Sequence, residues 1–289
     1  RAAGLKPHLT LVHTANDIVQ DLPSLDQFYH MILYVEDEGL FVDPVQSGSL
    51  PDVPVGLANR HALILHPEKP FLKKIPPYSL DSSRIRVRRK IRAGRDLATM
   101  EDSVEMSGYF AGFIRPPLQQ APPESRALML QELVGGQLHL QLRGIDHLEK
   151  PRSPLLLHTF FNIHAGGRNG ELQFAIVAPF EQTYLRFMPV SNRKTPFEIP
   201  FPLIVESKIE VTLEDGLLFA EVPEDRSAEH DFLKWSLTAS LEANTLTIQF
   251  QCHLFAIEGL PDMYNDFQSQ TEAALKALQS EIRLKAVTD

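Results

Sequence analysis

The sequence predicts an α+β protein that is mostly β: the remnant of a first domain, followed by a β-sandwich with one inserted helix and one C-terminal helix. Short alternating segments recur along the chain at the spacing typical of sandwich strands. Two segments have helical features instead. Residues 124–134 follow Pro122-Pro123 and end at a glycine pair, and residues 262–285 carry apolar side chains at helical spacing.

The N-terminal part, residues 1–66, is predicted to contain a small antiparallel sheet. Residues 8–14 and 28–35 are β-rich, and a short strand at 40–42 follows an acidic turn that ends in Gly39. Arg1–Ala3, followed by Gly4, resembles the last turn of a helix, so we expect further sequence before Arg1. Residues 67–80 contain four prolines and are predicted to be a linker.

The second part, residues 81–289, is predicted to be the sandwich. Its strands are expected at 84–92, 99–107, 138–146, 155–164, 172–178, 203–212, 217–222, 232–242 and 245–257, with a hairpin loop at 166–170. A turn at 93–96 would place Arg88 opposite Glu101 and Arg84 opposite Glu105, and each such pair stabilises a hairpin by about 0.2–1 kcal/mol.

The first of these strands has a basic face, which raises two interpretations. Its charged residues alternate with apolar ones; they are Arg84, Arg86, Arg88, Lys90 and Arg92. The face could bind nucleic acid or phosphate, but it has no interleaved aromatic side chains on which bases could stack. The acidic neighbouring strand favours a solvated, charge-paired hairpin.

Composition excludes several functional classes. The chain has 289 residues, 37 of them acidic and 28 basic, for a net charge of −9, which argues against nucleic acid or an anionic membrane as the main partner. No apolar run approaches the ~20 residues that would span a bilayer.

The sequence has no HExxH motif, phosphate-binding loop or dinucleotide fingerprint, so we predict no cofactor and no metal. His158 and His164 share a strand face but are too far apart to hold one ion at ~3.3 Å per residue.

His30 and Asp43 are the candidate catalytic residues. Each is expected near the end of one of two neighbouring antiparallel strands, which would bring the imidazole and the carboxylate together. A carboxylate can orient an imidazole and stabilise its protonated form, so that the other ring nitrogen acts as a base toward a nucleophile. The alternative is a strand histidine satisfied by a nearby loop, with Asp43 capping the following turn.

Three segments around this pair resemble bacterial transglutaminase-like proteins of the type that carries an N-terminal DUF3857 domain. They are residues 22–35 (LPSLDQFYHMILYV), residues 39–44 (GLFVDP) and residues 56–65 (GLANRHALIL). Tyr29 stands where that family usually has asparagine. The resemblance extends over nearly the whole chain and is most specific at 22–65.

The resemblance implies a papain-like core and a Cys-His-Asp triad, with His30 as the base and Asp43 as its orienting partner. In that family the nucleophilic cysteine begins a helix that precedes the histidine strand, and this helix commonly ends in a sequence similar to residues 1–5 (RAAGL). The chain has one cysteine, Cys252, in a predicted strand of the second domain, where we expect it to be an inert packing residue. The resemblance therefore implies that a missing N-terminal segment, or another chain, supplies the thiol.

The expected function is that of the C-terminal part of a cysteine-dependent acyltransferase or amidohydrolase that acts on protein or peptide amides and is inactive without the missing thiol. The alternative is a non-catalytic module, in which the sandwich binds a partner and the first domain is a degenerate scaffold. The resemblance also implies a bacterial, exported protein, periplasmic or extracellular.

Overall fold

The computed structural model describes residues 4–286 except 15–16, 20, 23, 46–52, 55, 96, 135–138, 165, 169–170, 177, 186–189, 191–192, 200–201 and 256–257. The α+β, mostly β class is confirmed, with several sheets and a helix near the C-terminus. Two hydrophobic cores form, one from residues between Val12 and Ile75 and the other from residues between Ile85 and Leu284. The helix end predicted at 1–3 lies outside the described residues, whereas Gly4 has a φ of 74°, the conformation expected of a glycine after a helix.

The first sheet has five antiparallel strands in the order β3-β2-β1-β4-β5. They are β1 (Pro7–Val12), β2 (His30–Val35), β3 (Leu40–Val42), β4 (His61–Ile64) and β5 (Phe71–Lys74). The three strands predicted at the N-terminus are present. Strand β5 lies inside the segment 67–80 that was predicted to be a linker, and the fully buried Ile75 that follows it belongs to the first core.

Side chains alternate between the two faces of this sheet, and one face is buried. Val12, Ile32 and Ile64 lie on one face and are buried. The turn between β2 and β3 is a 3₁₀ turn at 36–38 that ends in Gly39, whose φ of 66° is open to glycine at little steric cost. This tight turn brings β3 directly beside β2, which positions the residue after β3 next to the start of β2.

The remaining elements follow from residue 83 onward. In chain order they are β6 (Ser83–Ala93), β7 (Leu97–Gly108), α1 (Tyr109–Gln120), α2 (Arg126–Leu133), β8 (Gln141–Asp146), β9 (Leu155–His164), β10 (Gly166–Arg168), β11 (Glu171–Ala175), α3 (Pro179–Leu185), β12 (Phe197–Glu198), β13 (Leu203–Leu213), β14 (Leu217–Glu221), β15 (Arg226–Glu229), β16 (Leu233–Glu242), β17 (Thr245–Leu254), β18 (Glu258–Gly259), α4 (Tyr264–Leu278) and β19 (Glu281–Ala286).

An eight-stranded sheet dominates this part, in the order β15-β16-β17-β13-β6-β7-β9-β8. Neighbouring strands are antiparallel except for β13 and β6, which are parallel. A four-stranded sheet has the order β10-β11-β19-β14, and β12 pairs with β18. Side chains of the eight-stranded sheet, the four helices and the four-stranded sheet share the second core. Helices therefore contribute to the second core together with the strands of two sheets.

Several elements differ from the sequence prediction, and α3, β12, β15 and β18 were not predicted at all. The C-terminal helix ends at Leu278, and residues 281–286 form β19 rather than its last turns. Helix α1 was not predicted, because Pro116 and Pro117 lie inside it and proline ordinarily ends a helix. Residues 166–168 of the predicted loop instead form β10, which pairs with β11, and residues 169–170 lie outside the described residues.

The hairpin of β6 and β7 has a different register from the predicted one. Arg86 faces Glu105 and Lys90 faces Glu101, whereas Arg84 and Arg88 face serines. The turn is centred one residue later than expected, because the Gly94 N–H donates to the carbonyl of Leu97. This moves every pairing by two residues, which keeps each side chain on its predicted face but changes its partner.

Candidate functional site

His30 and Asp43 come together at one end of the first sheet. His30 is the first residue of β2, and Asp43 directly follows β3. The two strands pair through Leu33–Val42 and Tyr34–Phe41, so alternation places both side chains on the face that bears the first core.

The pair has one buried and one accessible partner. Nε2 of His30 lies 2.8 Å from Oδ2 of Asp43, and the Asp43 side chain is 2% exposed against 25% for His30. Oδ1 of Asp43 accepts a hydrogen bond of 3.0 Å from the backbone N–H of Val45. Each carboxylate oxygen thus has a donor, which fixes the carboxylate and, through it, the plane of the imidazole.

This arrangement leaves Nδ1 of His30 as the nitrogen available for chemistry. Nε2 donates to the carboxylate, so the neutral ring has its lone pair on Nδ1, for which the described residues supply no hydrogen-bond partner. A buried carboxylate also stabilises the charge that the ring gains on taking up a proton. An imidazole held in this way can act as a base toward a group placed at Nδ1.

A second polar group, which the sequence analysis missed, lies at the same end of the sheet. Nδ1 of His61 is 2.7 Å from Oδ2 of Asp17, and the Tyr29 hydroxyl is 2.5 Å from Oγ1 of Thr14. Partial burial opposes ionisation of Asp17, but hydrogen bonds from His61 and Ile18 outweigh it and lower the pKa of Asp17. His61 is on the other face of the sheet from its neighbour Ala62, which could have been read from the alternation of β4.

The environment of Cys252 differs from that of the His30–Asp43 pair. It is a fully buried residue of β17 in the second core, as the sequence predicted. Burial raises the pKa of the Cys252 thiol to about 12, so the thiol stays protonated and unreactive near neutral pH. The described residues therefore place no thiol beside His30.

On the basic face of β6, Arg84 and Arg86 are paired with acidic side chains. Arg86 contacts Glu105 at 3.2 Å and Glu206 at 2.8 Å, and Arg84 contacts Asp81 at 3.0 Å. The same solvent-facing side of the sheet carries an open cleft of about 870 Å³, whose lining includes Arg88, Lys90, Arg143, His158 and Lys208. His158 bonds to Asp146 at 3.1 Å, and the side chain of His164 lies outside the described ones.

On the opposite side of β6 lies a buried ionic network that the sequence analysis also missed. Arg89 binds Asp102 through two hydrogen bonds of 2.8 and 2.7 Å, and Glu181 lies 3.4 Å from Nη2 of Arg89. Burial opposes the Arg89 charge, but the attraction of Asp102 and Glu181 outweighs it, so the pKa of Arg89 is raised. Burial raises the pKa of Asp102, and Arg89 only partly offsets that effect. A charged residue at an apolar position of the alternation, between Val87 and Ile91, was the available signal.

Residues 174–284 match the model of the family DUF3858, described as a domain of unknown function with a solved structure. A crystal structure described as a "putative protease" from Parabacteroides distasonis ATCC 8503 is similar over 99% of this chain, with a TM-score of 0.50 and 14% identity. At that identity the likeness shows the fold alone. This chain spans 41% of the length of that protein. A search of curated proteins finds no match. None of the helices in the described ranges is long and apolar enough to cross a membrane.

Proposed function

We propose that these residues are the C-terminal part of a transglutaminase-like cysteine enzyme that transfers or hydrolyses acyl groups of protein or peptide amides. The observation that carries the proposal is the His30–Asp43 pair, with Nε2 held at 2.8 Å by a buried carboxylate and the ring at a strand end. The description of the similar structure as a protease, and the resemblance of residues 22–65 to transglutaminase-like proteins, support the same class.

The reaction assigns a separate task to each residue. Nδ1 of His30 takes the proton of a cysteine thiol, and the thiolate attacks the amide carbonyl carbon. The C–N bond then breaks, and His30 returns the proton to the leaving amine. Water or a second amine attacks the thioester, giving its proton to His30, and the thiolate leaves. Asp43 keeps the proton of the neutral imidazole on Nε2 throughout.

In this proposal the thiol comes from a segment outside the 289 residues, since Cys252 is buried in the other core. This chain covers 41% of the similar protein, so that protein is long enough to contain such a segment besides the part matched here. The chain by itself is then inactive, and the exported bacterial location implied by the resemblance is part of the same proposal.

Alkylation kinetics test the proposal in the longer natural polypeptide. We expect one cysteine to react with iodoacetamide faster than the same cysteine in denatured protein, and His30→Ala to slow it about 100-fold or more. His61→Ala is the matched control, because His61 also bonds to a carboxylate at this end of the sheet. A cysteine that reacts no faster than in the denatured protein, or a rate unaffected by His30→Ala, would overturn the proposal.

The chain of 289 residues offers a test of the pair itself. Because Nε2 faces Asp43, we expect the ¹⁵N spectrum of neutral His30 to show the Nε2–H tautomer, and Asp43→Ala to mix the two tautomers. A dominant Nδ1–H tautomer in the unaltered chain would contradict the assignment of Nδ1 as the base.

A non-catalytic interaction module is the second candidate, favoured by the open cleft on the outer side of the eight-stranded sheet. The two candidates separate in the alkylation experiment, since a module of this kind needs no activated thiol and its partner binding would survive His30→Ala.

A further inference from the structure

Two histidines and a glutamate converge at the end of the first sheet that lies away from His30. The geometry points to a binding site for a zinc-class divalent cation formed by His8, Glu36 and His66, with an open fourth position for water. The ligand atoms of the three side chains lie within 4.8 Å of one another. Sequence analysis predicted no metal, because the three residues are far apart in the chain and match no linear motif.

The strands of the sheet bring the three residues together. His8 is in β1, Glu36 directly follows β2, and His66 follows β4, and these strands are adjacent in the order β2-β1-β4. The Glu36 N–H donates to Lys6 at 3.2 Å, and the Leu65 N–H donates to Leu9 at 2.9 Å. The backbone on either side of β1 is therefore fixed beside His8.

The side chains already contact one another. Nε2 of His8 lies 3.1 Å from Oε2 of Glu36, and the His8 and His66 rings have centroids 4.8 Å apart. The His8 side chain is 11% exposed, whereas that of Glu36 is 45% exposed. The cluster thus combines one largely buried imidazole with a carboxylate at the protein surface.

The donor set selects the class of cation. Two imidazole nitrogens and a carboxylate oxygen suit zinc and similar transition metals, whereas Mg²⁺ and Ca²⁺ prefer oxygen ligands alone. Ligands of tetrahedral zinc lie about 3.4 Å apart at Zn–N and Zn–O distances near 2.1 Å. In the proposed site, rotation of the Glu36 and His66 side chains brings their ligand atoms from the present spacing, within 4.8 Å, to that distance. A cation bound through Nε2 of His66 requires the ring proton on Nδ1. The 3.3 Å hydrogen bond that Nδ1 accepts from the Glu68 N–H is then lost.

The site is separate from the proposed catalytic pair. Val12 is paired with His30, and His8 lies four residues earlier in β1, about 14 Å along a strand rising ~3.4 Å per residue. A cation at His8 would link β2, β1 and β4 at their far end. The inference therefore does not depend on cysteine chemistry.

Zinc titration of the untagged, metal-free chain tests the site, with a chromogenic chelator as competitor. We expect one Zn²⁺ per chain, with affinity reduced at least about tenfold by His66→Ala and by Glu36→Gln, since even outer-shell changes cost about 10–100-fold. His61→Ala, which alters a histidine–carboxylate pair at the opposite end of the same sheet, should leave the affinity unchanged. Mg²⁺ should not compete.

Two further readouts keep the result interpretable. Thermal unfolding without metal should show that each variant folds, and Co²⁺ should give visible absorption bands in the unaltered chain that Glu36→Gln alters. Absence of Zn²⁺ binding to the unaltered chain overturns the site. So does binding that His61→Ala removes and His66→Ala does not.

Discussion

Asp43 of the first sheet and Asp102 of the eight-stranded sheet are both buried carboxylates with a nitrogen partner, but their surroundings differ. Arg89 and Asp102 are 0% exposed at the side chain and are joined by two hydrogen bonds. The partner of Asp43, His30, lies at a strand end and is 25% exposed. Both carboxylates are buried, so the two pairs differ in the exposure of the side chain that bears the nitrogen.

The chemistry of the partner makes the same distinction. A guanidinium does not release its proton in a protein, and the pKa of Arg89 is raised further by its two acidic neighbours. An imidazole gains and loses a proton near neutral pH. The Arg89 network is therefore assigned a structural role, and proton transfer is proposed for the His30 pair alone.

The largest expected effect is on the structural network. Arg89→Met leaves Asp102 and Glu181 buried without their cation, which should lower the free energy of unfolding by about 3–5 kcal/mol. Urea denaturation measures this loss. Arg86→Met is the matched control on the outer side of the same strand, where exposed pairs contribute about 0–1 kcal/mol each. Equal losses for the two variants would contradict the structural assignment of Arg89.

A smaller loss is expected at the proposed catalytic pair. His30→Ala removes one hydrogen bond from Asp43, which keeps its bond from Val45, so the expected loss is about 1–3 kcal/mol. Urea denaturation measures this loss. Activity of the longer polypeptide should fall by a larger factor than the folding equilibrium constant does. A loss as large as that of Arg89→Met would assign His30 a structural role instead.

Alternation within strands was the part of the structure that the sequence predicted best. It placed His30 and Asp43 on neighbouring strands, and it put the charges of β6 on one face even though the hairpin register differs by two residues. Register depends on a turn closed by the Gly94 N–H, which composition does not reveal. Arg89 escaped notice because only its buried partners, on β7 and α3, explain a charge at an apolar position.

The metal cluster and α1 were beyond sequence reasoning for different reasons. His8, Glu36 and His66 meet only because β4 pairs with β1, a long-range contact that no local pattern encodes. Helix α1 tolerates Pro116 and Pro117 while Phe110, Ile114 and Leu118 pack into the second core. In both cases tertiary contacts decide the outcome, and they can override local propensity.

The smallest expected effect concerns the exposed pair of His61 and Asp17, which extends the comparison to a carboxylate that is 40% exposed at the side chain. The pKa of Asp17 is lowered in the folded protein, so its contribution to stability is present above its ordinary value and is lost as the pH falls through the lowered one. His61→Ala should raise the pKa of Asp17 toward its ordinary value, measured by NMR titration of the carboxyl carbon. Solvent screening should keep the stability change within about 1 kcal/mol. A larger change would show that the greater exposure of Asp17 does not weaken this pair relative to that of Asp43.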